Sequence, residues 1–596
     1  MYGYGAIFYK YILSVNMLNM IGEAMHVIAV AADYDGTLAE GGKVSPSTVS
    51  AIERLIASGR AFILVTGRIL SDLLAVFPEA GLCSAVVAEN GAVLYRPATR
   101  ERMRLGSPPP EPLVRALADK GVQPLDVGES IIATVRPHEI TALEAIRDLG
   151  LEHHVVFNRE SVMVLPPGVD KATGLRAALA ELRLSPHNVV AVGDSENDHA
   201  LLQAGEWAVA VANAVPTLKD IADQVTAASA GAGTAELIHE VLRDDLAAAP
   251  ARHRIEMGQA AGGSSVSIPA QGENLLIAGS SGSGKSTLAV GILERLAQRG
   301  YQLCVIDPEG DYESFAGAIV FGNAQRAPTV PEILSALERP DAQIVVNLVG
   351  MPLQDRPAFF LGLLPRLQEW RARTGRPHRI LVDETHHLLS PDRQPAPTVW
   401  APQLTGMIFV TVHPDSVAPS ALRAVTVAVA LGERPERTLR TFAERAELPF
   451  PHTAPVALDA GEAVIWRARS GEPPTVFRMA PSEGDRRRHR RKYAEGELPP
   501  DRSFYFRGPD GLLNLRAQNL MLFRQLAAGV DDATWLHHLR QGDYARWMEQ
   551  AIKDPWLAEA VRRIEGQGSL SADESRRLVA QAIEERYTLP ASESTI

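Results

Sequence analysis

The sequence predicts a multidomain α/β protein: two α/β bodies in series, followed by a small, mainly helical domain. Three observations carry that prediction. Short β-rich runs alternate with amphipathic helical runs over residues 26–245 and again from about 269 to 481, the pattern of parallel sheets covered by helices on both faces. A strand, a glycine-rich loop and a helix succeed one another in ENLLIAGSSGSGKSTLAVGILERLAQRG. Beyond Pro499-Pro500 the alternation stops and a helical, tryptophan-rich pattern takes over. A chain of 596 residues is also too long for one core; at roughly 100–200 residues per domain it divides into three or four.

Composition bounds the function classes. Hydrophobic residues at 46% and charged residues at 22% are those of an ordinary globular protein. The formal charge of −12 argues against bulk electrostatic binding to nucleic acid. Cys83 and Cys304 lie in apolar stretches and are expected to be buried, reduced thiols of a cytosolic protein. The N-terminal residues 1–25 contain an apolar run broken by Ser14, Asn16 and Asn19, too short and polar to span a bilayer. They read as a disordered extension, with Met25 as an alternative start. No later segment approaches 18 uninterrupted apolar residues, so a cytoplasmic protein without a membrane partner is expected.

Along the first body, VIAVAADY is a strand and SPSTVSAIERLIASG a helix, with Ser45 as N-cap and Pro46 at the first helical position. AFILVTG is a strand, KATGLRAALAELRL a helix, NVVAVGD a strand, ENDHALLQAG a helix and WAVAVANA a strand. Residues 246–268 carry Ala, Gly and Ser without strong periodicity and read as a linker to the second body, 269–481. Residues 482–500 read as a basic linker containing RRRHRRK at 486–492. That run could grip nucleic-acid phosphates, but a solvated linker is favoured. In the last domain, 501–596, SADE at 571–574 looks like a capping box opening the final helix. Trp535, Trp547 and Trp556 fall at roughly helical spacing and are expected to form a small core.

The first body carries a constellation for phosphate chemistry. AADYDGTLA places Asp33 and Asp35 directly after a buried strand, two residues apart, so both carboxylates can enter one crevice. One carboxylate there can attack phosphorus and form an aspartyl-phosphate. The other can protonate the leaving oxygen and later activate water. Thr66, in TGR after another strand, can donate to a phosphate oxygen, and Lys171, opening a helix, can neutralise developing charge. Asp194 and Asp198 in GDSEND, after a third strand, can hold a hard cation through oxygen ligands.

These four segments, in this order, resemble the haloacid dehalogenase (HAD) superfamily of phosphatases, and the similarity extends to ENGA at 89–92 and VANA at 211–214. The resemblance implies a Rossmann-like core with an inserted α/β cap. It makes Asp33 the nucleophile, Asp35 the general acid/base, and Thr66 and Lys171 the phosphoryl-binding pair. Mg2+ would sit among Asp33, Asp35, Asp194 and Asp198, with Asp194 ligating alongside Asp33. Residues 93–165 occupy the place of the cap in the subgroup that cleaves phosphosugars and phosphoglycolate. His153 and His154 lie in that insert, but adjacent residues of a strand face opposite ways, so no joint metal site is expected.

The second body opens on a phosphate-binding loop. GSSGSGKS, between a strand and a helix, fits G-x-x-x-x-G-K-[ST]. Gly279, Ser280, Ser281, Gly282, Ser283, Gly284, Lys285, Ser286 and Thr287 would surround the phosphates of ATP, with Lys285 at the β and γ phosphates and Ser286 on Mg2+. RILVDETHHLL ends a strand in Asp383, which can hold the Mg2+ shell, and Glu384, which can polarise a water for hydrolysis. QLCVIDPEGDY ends another strand in an acidic turn, and IFVTVHP ends one in Thr411 and His413, where a polar residue can sense the γ-phosphate. This order resembles the additional-strand ATPases of the HerA/FtsK type, many of which act as hexameric rings on DNA. The β-barrel that often precedes such ATPases has no room here, because the first body takes its place. Rings also need an arginine from a neighbouring subunit; Arg423 and Arg434 are candidates, which leaves a homo-oligomer open.

The expectation is therefore a bifunctional, Mg2+-dependent phosphohydrolase: a phosphatase for a small phosphorylated metabolite, phosphosugar or phosphoglycolate-like, fused to an ATP-hydrolysing domain. Two alternatives stand beside it. One is an ATPase working on nucleic acid with an accessory phosphatase; the other is an ATP-gated signalling or scaffold protein. Acidic charge and the missing barrel favour the first.

Overall fold

A computed structural model describes residues 26–587 apart from 247–248, 250, 281, 392–404, 453–454, 483–497, 499–501, 512 and 553. Residues 1–25, Ser281 and the basic run 486–492 therefore lie outside the described residues. The chain divides into two compact units, with the boundary in sequence between Ala480 and Pro481.

In the first unit, the chain begins with β1 (Ala29–Ala32), β2 (Ala61–Val65) and β3 (Ala85–Ala88), which are parallel, and β4 (Val93–Arg96) and β5 (Glu101–Arg104), which turn antiparallel. Ser45 caps the helix Pro46–Ala57 by accepting from the Thr48 amide at 3.2 Å. A separate antiparallel sheet follows, built from β6 (Asp126–Val127), β7 (Ile132–Val135), β8 (His154–Asn158) and β9 (Ser161–Leu165) in the order β8-β9-β7-β6. Helices Glu111–Asp119 and Glu139–Asp148 bury Leu113, Leu117, Ala142 and Ile146 against it. The chain then returns through helix Lys171–Leu182 and adds β10 (Val189–Gly193), β11 (Trp207–Ala210) and β12 (Gln224–Val225). The completed sheet runs β12-β11-β10-β1-β2-β3-β4-β5. β1 lies between β10 and β2, where the direction of winding reverses, and in such sheets the crevice at that switch point holds the ligand. The inserted module is thus smaller than 93–165: residues 93–104 pair with the main sheet instead, because Tyr95 and Leu94 continue the β3 ladder.

A second large sheet collects β13 (Arg254–Ala260), β14 (Ser265–Pro269), β15 (Leu275–Gly279), β16 (Leu303–Asp307), β17 (Ala318–Phe321), β18 (Gln343–Asn347), β19 (Arg379–Val382), β20 (Met407–Thr411), β21 (Val427–Leu431), β22 (Glu462–Arg467) and β23 (Thr475–Met479). Their order is β14-β13-β23-β22-β21-β15-β20-β19-β16-β18-β17. β20 separates β15, which leads into the glycine-rich loop, from β19, which leads into Asp383. The segment read as a linker, 246–268, is corrected here. Residues 254–269 form a hairpin that pairs through β13 with β23. Ile255, Met257 and Ile268 are buried in the core beneath it.

The second unit holds a two-stranded ribbon, β24 (Phe504–Phe506) with β25 (Leu515–Ala517), and five helices between Leu520 and Tyr587. Trp535 is fully buried and donates its indole N–H to Ser575 at 2.9 Å, and Trp547 is buried beside Phe523. Trp556 departs from expectation: it is 50% exposed, because Pro555 starts a new helix and breaks the spacing. The Ser571–Glu574 capping box is present, with the Ser571 amide donating to Glu574 at 3.0 Å and the Glu574 amide to Ser571 at 3.3 Å. Among the described residues, no helix is long and apolar enough to cross a membrane.

Candidate active sites

The first site lies at the C-terminal ends of β1, β2 and β10. Asp33, Lys171, Asp194 and Asp198 are all buried there, although they come from three segments far apart in sequence. The Lys171 ammonium donates to Asp33 Oδ1 and to Asp198 Oδ1, both at 2.6 Å. The second Asp198 oxygen accepts the amides of Asp194 and Ser195 at 2.9 Å each. Asp198 thus holds both the lysine and the loop. Asp33 differs: its Oδ2 is buried without a hydrogen-bond partner.

Burial is the largest influence on these groups, and charge crowding is the next. Burial and then the neighbouring Asp198 push the Asp33 carboxyl well above its ordinary range, against the pull of Lys171. Asp194 is raised for the same two reasons. Burial pulls the Lys171 ammonium down, but the two carboxylates outweigh this and carry it above the ordinary lysine value. Asp33, Asp194 and Asp198 each offer an oxygen within 4.8 Å of the others. An unpaired buried carboxylate oxygen and a three-carboxylate donor set fit a hard divalent cation.

Gly36 makes the close approach of these loops feasible. Its φ is +80°, and a Cβ there would stand 2.3 Å from Asp194 Oδ2. Thr37 donates to Asp194 Oδ1 at 3.1 Å, and Asn213 of the VANA stretch donates to the Gly36 carbonyl at 2.8 Å. Thr66 is buried; its Oγ1 accepts the Arg68 amide at 3.1 Å, leaving its own hydrogen free for another acceptor. Asp35 is placed differently from the metal-ligand position expected for it. Arg68 clamps both its oxygens at 2.6 Å, and its carboxylate is not among the clustered three.

The inserted module reaches this site twice. Arg159, at the turn between β8 and β9 with φ +53°, donates to Asp194 Oδ2 and lies 3.4 Å from Ser195 Oγ. Glu89, buried at the end of β3, accepts the amides of Glu129, Ser130 and Ile131 at 3.0, 2.8 and 3.3 Å. It is a latch between core and insert. Glu89→Ala is expected to strip three buried amides of a charged acceptor, at a cost of about 3 kcal/mol. Faster hydrogen exchange at 129–131, with exchange in β10 unchanged, would be the measured sign.

The second site surrounds the loop after β15. Gly279 packs so closely on β21 that a Cβ would meet the Leu431 carbonyl oxygen at 2.3 Å. Lys285 opens the helix Lys285–Gln298, is buried, and donates to the Ser280 carbonyl at 2.9 Å. Gly282, Ser283, Gly284, Ser286 and Thr287 complete the turn and first helical residues around it. Burial lowers the Lys285 pKa, and the carboxylates of Glu384, Asp383 and Glu309 oppose that fall.

Asp383 follows β19, with its carboxyl pushed up to about 8 by burial and by Glu384 and Asp307. Glu384 sits in the left-handed region at φ +39°, a strained backbone for a glutamate, and its Oε2 is buried without a hydrogen-bond partner. Burial and Glu309 raise its pKa as well. Thr411 at the end of β20 contacts His386 Nδ1 at 3.2 Å, and burial lowers His386 to about 4, so the ring is neutral. Asp307 accepts the amides of Gly310, Asp311 and Tyr312 at 2.8, 3.0 and 2.8 Å, which shapes the DPEGDY turn.

Residues 30–107 and 131–238 match the family model for haloacid dehalogenase-like hydrolases. A phosphoglycolate phosphatase of Methanothermobacter thermautotrophicus is 33% identical over 223 residues, 36% of this chain and 98% of that protein. The chain belongs to the HAD-like hydrolase family. Phosphoglycolate phosphatase 2 of Saccharolobus solfataricus is 33% identical over 228 residues, covering 36% of this chain and 92% of the relative. A solved HAD-like hydrolase from Bacteroides thetaiotaomicron is 18% identical, with 36% of this chain and 99% of that chain covered at a TM-score of 0.32. Residues 255–356 match the model for the central domain of helicase HerA. The chain is therefore a HAD-like hydrolase joined to a HerA-like body.

In the HAD-like body, Asp33, Lys171, Asp194 and Asp198 converge, with Thr66 on the neighbouring strand end. Arg68, Arg159 and Glu89 were not assigned roles from sequence. Arg68 adjoins Thr66 in TGR, which was a usable signal; Arg159 and Glu89 act across 35 and about 40 residues and carry none.

Proposed function

We propose that the HAD-like body is a Mg2+-dependent phosphomonoesterase for a small phosphorylated metabolite, phosphoglycolate-like or a phosphosugar, and that the HerA-like body hydrolyses ATP. The observation that carries the first half is the Asp33 side chain: one oxygen pinned by Lys171, the other buried and unpartnered at the switch point of the sheet. The names of the relatives, phosphoglycolate phosphatases, support the substrate class.

In this reading Asp33 Oδ2 attacks phosphorus, the bond to the leaving oxygen breaks, and Asp35 gives that oxygen its proton. Asp35 then takes a proton from the water that opens the aspartyl-phosphate. Arg68 has to loosen its two-point grip before Asp35 can carry that proton. Lys171 and the Thr66 hydroxyl hold the phosphoryl oxygens. Asp198 positions Lys171 and the 194–195 loop. Asp33 and Asp194 would hold Mg2+, which supplies charge neutralisation between enzyme carboxylates and phosphate.

Arg159 and the cation would compete for the same Asp194 oxygen. Arg159→Ala is expected to lower the Mg2+ concentration giving half-maximal activity by about two- to fivefold, the scale of a partly exposed ion pair. A Mg2+ titration of the variant that matches wild type would remove Arg159 from that competition.

In the second body, Gly279 to Thr287 would cradle the phosphates of ATP, with Ser286 and Asp383 on Mg2+ and Glu384 activating water. Support comes from the buried Glu384 Oε2, which makes no hydrogen bond and lies 3.5 Å from His386 Nδ1, and from the neighbouring Lys285. The test uses the full chain. Phosphate release from 2-phosphoglycolate, phosphosugars and ATP is measured with Mg2+ and with EDTA, and ATP hydrolysis is measured with and without DNA. Release from a small monoester that EDTA stops is expected. ATP hydrolysis that rises severalfold with DNA, with no monoester cleaved, would replace this reading by a nucleic-acid motor.

A further inference from the structure

The two α/β bodies of the first unit meet at a buried polar junction. Asn188 donates to the carbonyls of His26 and Gly375 at 2.7 and 3.3 Å, and Arg376 donates to the Arg183 carbonyl at 3.0 Å. At one end of this junction three metal-binding side chains converge. His187 precedes β10 and Glu206 precedes β11, both in the HAD-like body; His253 precedes β13, in the HerA-like body. Each offers a donor atom within 4.8 Å of the others. His187 Nδ1 lies 2.7 Å from Glu206 Oε2, and His253 Nε2 lies 3.9 Å from the same oxygen. A tetrahedral zinc ion with bonds of about 2.0–2.1 Å sets its donors roughly 3.3 Å apart, inside that span.

The hydrogen bonding around His187 sharpens the case. Its Nε2 lies 2.7 Å from the Arg299 carbonyl, which can only accept, so Nε2 carries a proton. A neutral ring then turns the bare Nδ1 lone pair on a carboxylate oxygen at 2.7 Å. The Tyr301 hydroxyl, 2.9 Å from both Glu206 oxygens, spends its single hydrogen on the carboxylate and so does not fill this gap. Either a proton or a metal ion must lie between the two atoms. The second imidazole facing the same oxygen is what an ion pair does not need and a metal does. Burial holds His253 below the ordinary histidine value.

The surroundings are those of a metal ligand set. A ligating histidine ordinarily donates its other N–H to a carbonyl or carboxylate, as His187 does to Arg299. Tyr301 stacks on the His187 ring at 3.7 Å between centroids and orients the carboxylate as well. His187 and Glu206 are 12% and 7% exposed, but His253 is 34% exposed, so water can reach a fourth coordination position.

We propose that His187 Nδ1, a Glu206 oxygen and His253 Nε2 bind a divalent transition metal, zinc by its donor set, that clasps the HAD-like body to the HerA-like body. The site is separate from the carboxylate cluster at Asp33, and its donors are imidazoles rather than carboxylates alone.

The test titrates Co2+, then Zn2+, into chelator-treated full-length protein. The intense visible absorption of tetrahedral Co2+ is expected in wild type and in Asp194→Asn, which alters only the carboxylate cluster. His253→Ala, at a partly exposed position, is expected to lose that band and to weaken Zn2+ binding by at least about 100-fold. Zn2+ should also raise the unfolding temperature of wild type but not of His253→Ala. His253→Gln guards against a folding defect: it should keep the circular dichroism of wild type and still lose the band. A band of equal intensity in wild type and both His253 variants would overturn the proposal. So would no tetrahedral band at stoichiometric Co2+, which would leave His187 and Glu206 as an imidazolium–carboxylate pair.

Discussion

Asp33→Asn is expected to lower kcat for monoester hydrolysis by ~10^3-fold or more, with ATP hydrolysis unchanged. The substitution is close to isosteric, so the buried end of β1 keeps its packing and the fall reports chemistry rather than unfolding. An amide cannot attack phosphorus, and it presents a neutral oxygen to Lys171 and to a cation. Substrate binding should weaken far less than turnover, because Lys171, Thr66 and Asp194 remain. The measurement is steady-state phosphate release at saturating Mg2+, with circular dichroism confirming the fold. Activity within tenfold of wild type would take the nucleophile role from Asp33. The matching intermediate test is acid-quenched enzyme incubated with 32P-labelled monoester: label should stay on wild type and be absent from Asp33→Asn.

The strand-end positions were legible because they are local. A β-rich run followed by a carboxylate, a TGR or a GDSEND needs only a few consecutive residues, and parallel strands bring such ends to one edge of the sheet. The same locality explains the failures. Residues 254–269 read as linker because Gly258, Gly262, Gly263 and three nearby serines mask the alternation, and a register shift between Glu256 and Gly258 breaks its period. Only the tertiary partner, β23, gives those residues a ladder. Residues 93–104 were given to the insert because nothing local distinguishes an antiparallel sheet edge from the first strand of a new module.

Arg159, Glu89 and the His187–Glu206–His253 group were illegible for a related reason. Each is a single polar residue whose partner lies 19 to 47 positions away, and only the tertiary fold brings them together. Single residues of this kind carry no spacing signal. The junction also changes how the two bodies relate. They are not beads on a flexible string: His187, Asn188, Glu206, Tyr301 and His378 interlock in a buried polar network. These hydrogen-bonded contacts form a continuous path between the two bodies.

That path makes the second large prediction informative for both sites. Lys285→Ala is expected to cut ATP hydrolysis by about 10^2- to 10^3-fold, the usual loss when one preorganised charge donor is removed from a phosphoryl-transfer site. The ammonium is buried and already bonded to the Ser280 carbonyl, so it is held over the loop before nucleotide arrives. Removing it also takes away a positive charge that faces Asp383, Glu384 and Glu309, which adds repulsion against an incoming triphosphate. Nucleotide affinity should therefore fall together with turnover. Glu384→Gln separates the two: binding should persist while hydrolysis stops, because only the carboxylate proposed to activate water is lost. Phosphatase turnover measured in these two variants, with and without ATP, then reads the coupling. If the junction transmits nucleotide state, ATP-saturated Glu384→Gln will differ from Lys285→Ala in monoester hydrolysis by severalfold. Identical phosphatase rates in both variants and wild type, at every ATP concentration, would show the two bodies to be joined mechanically but independent in catalysis.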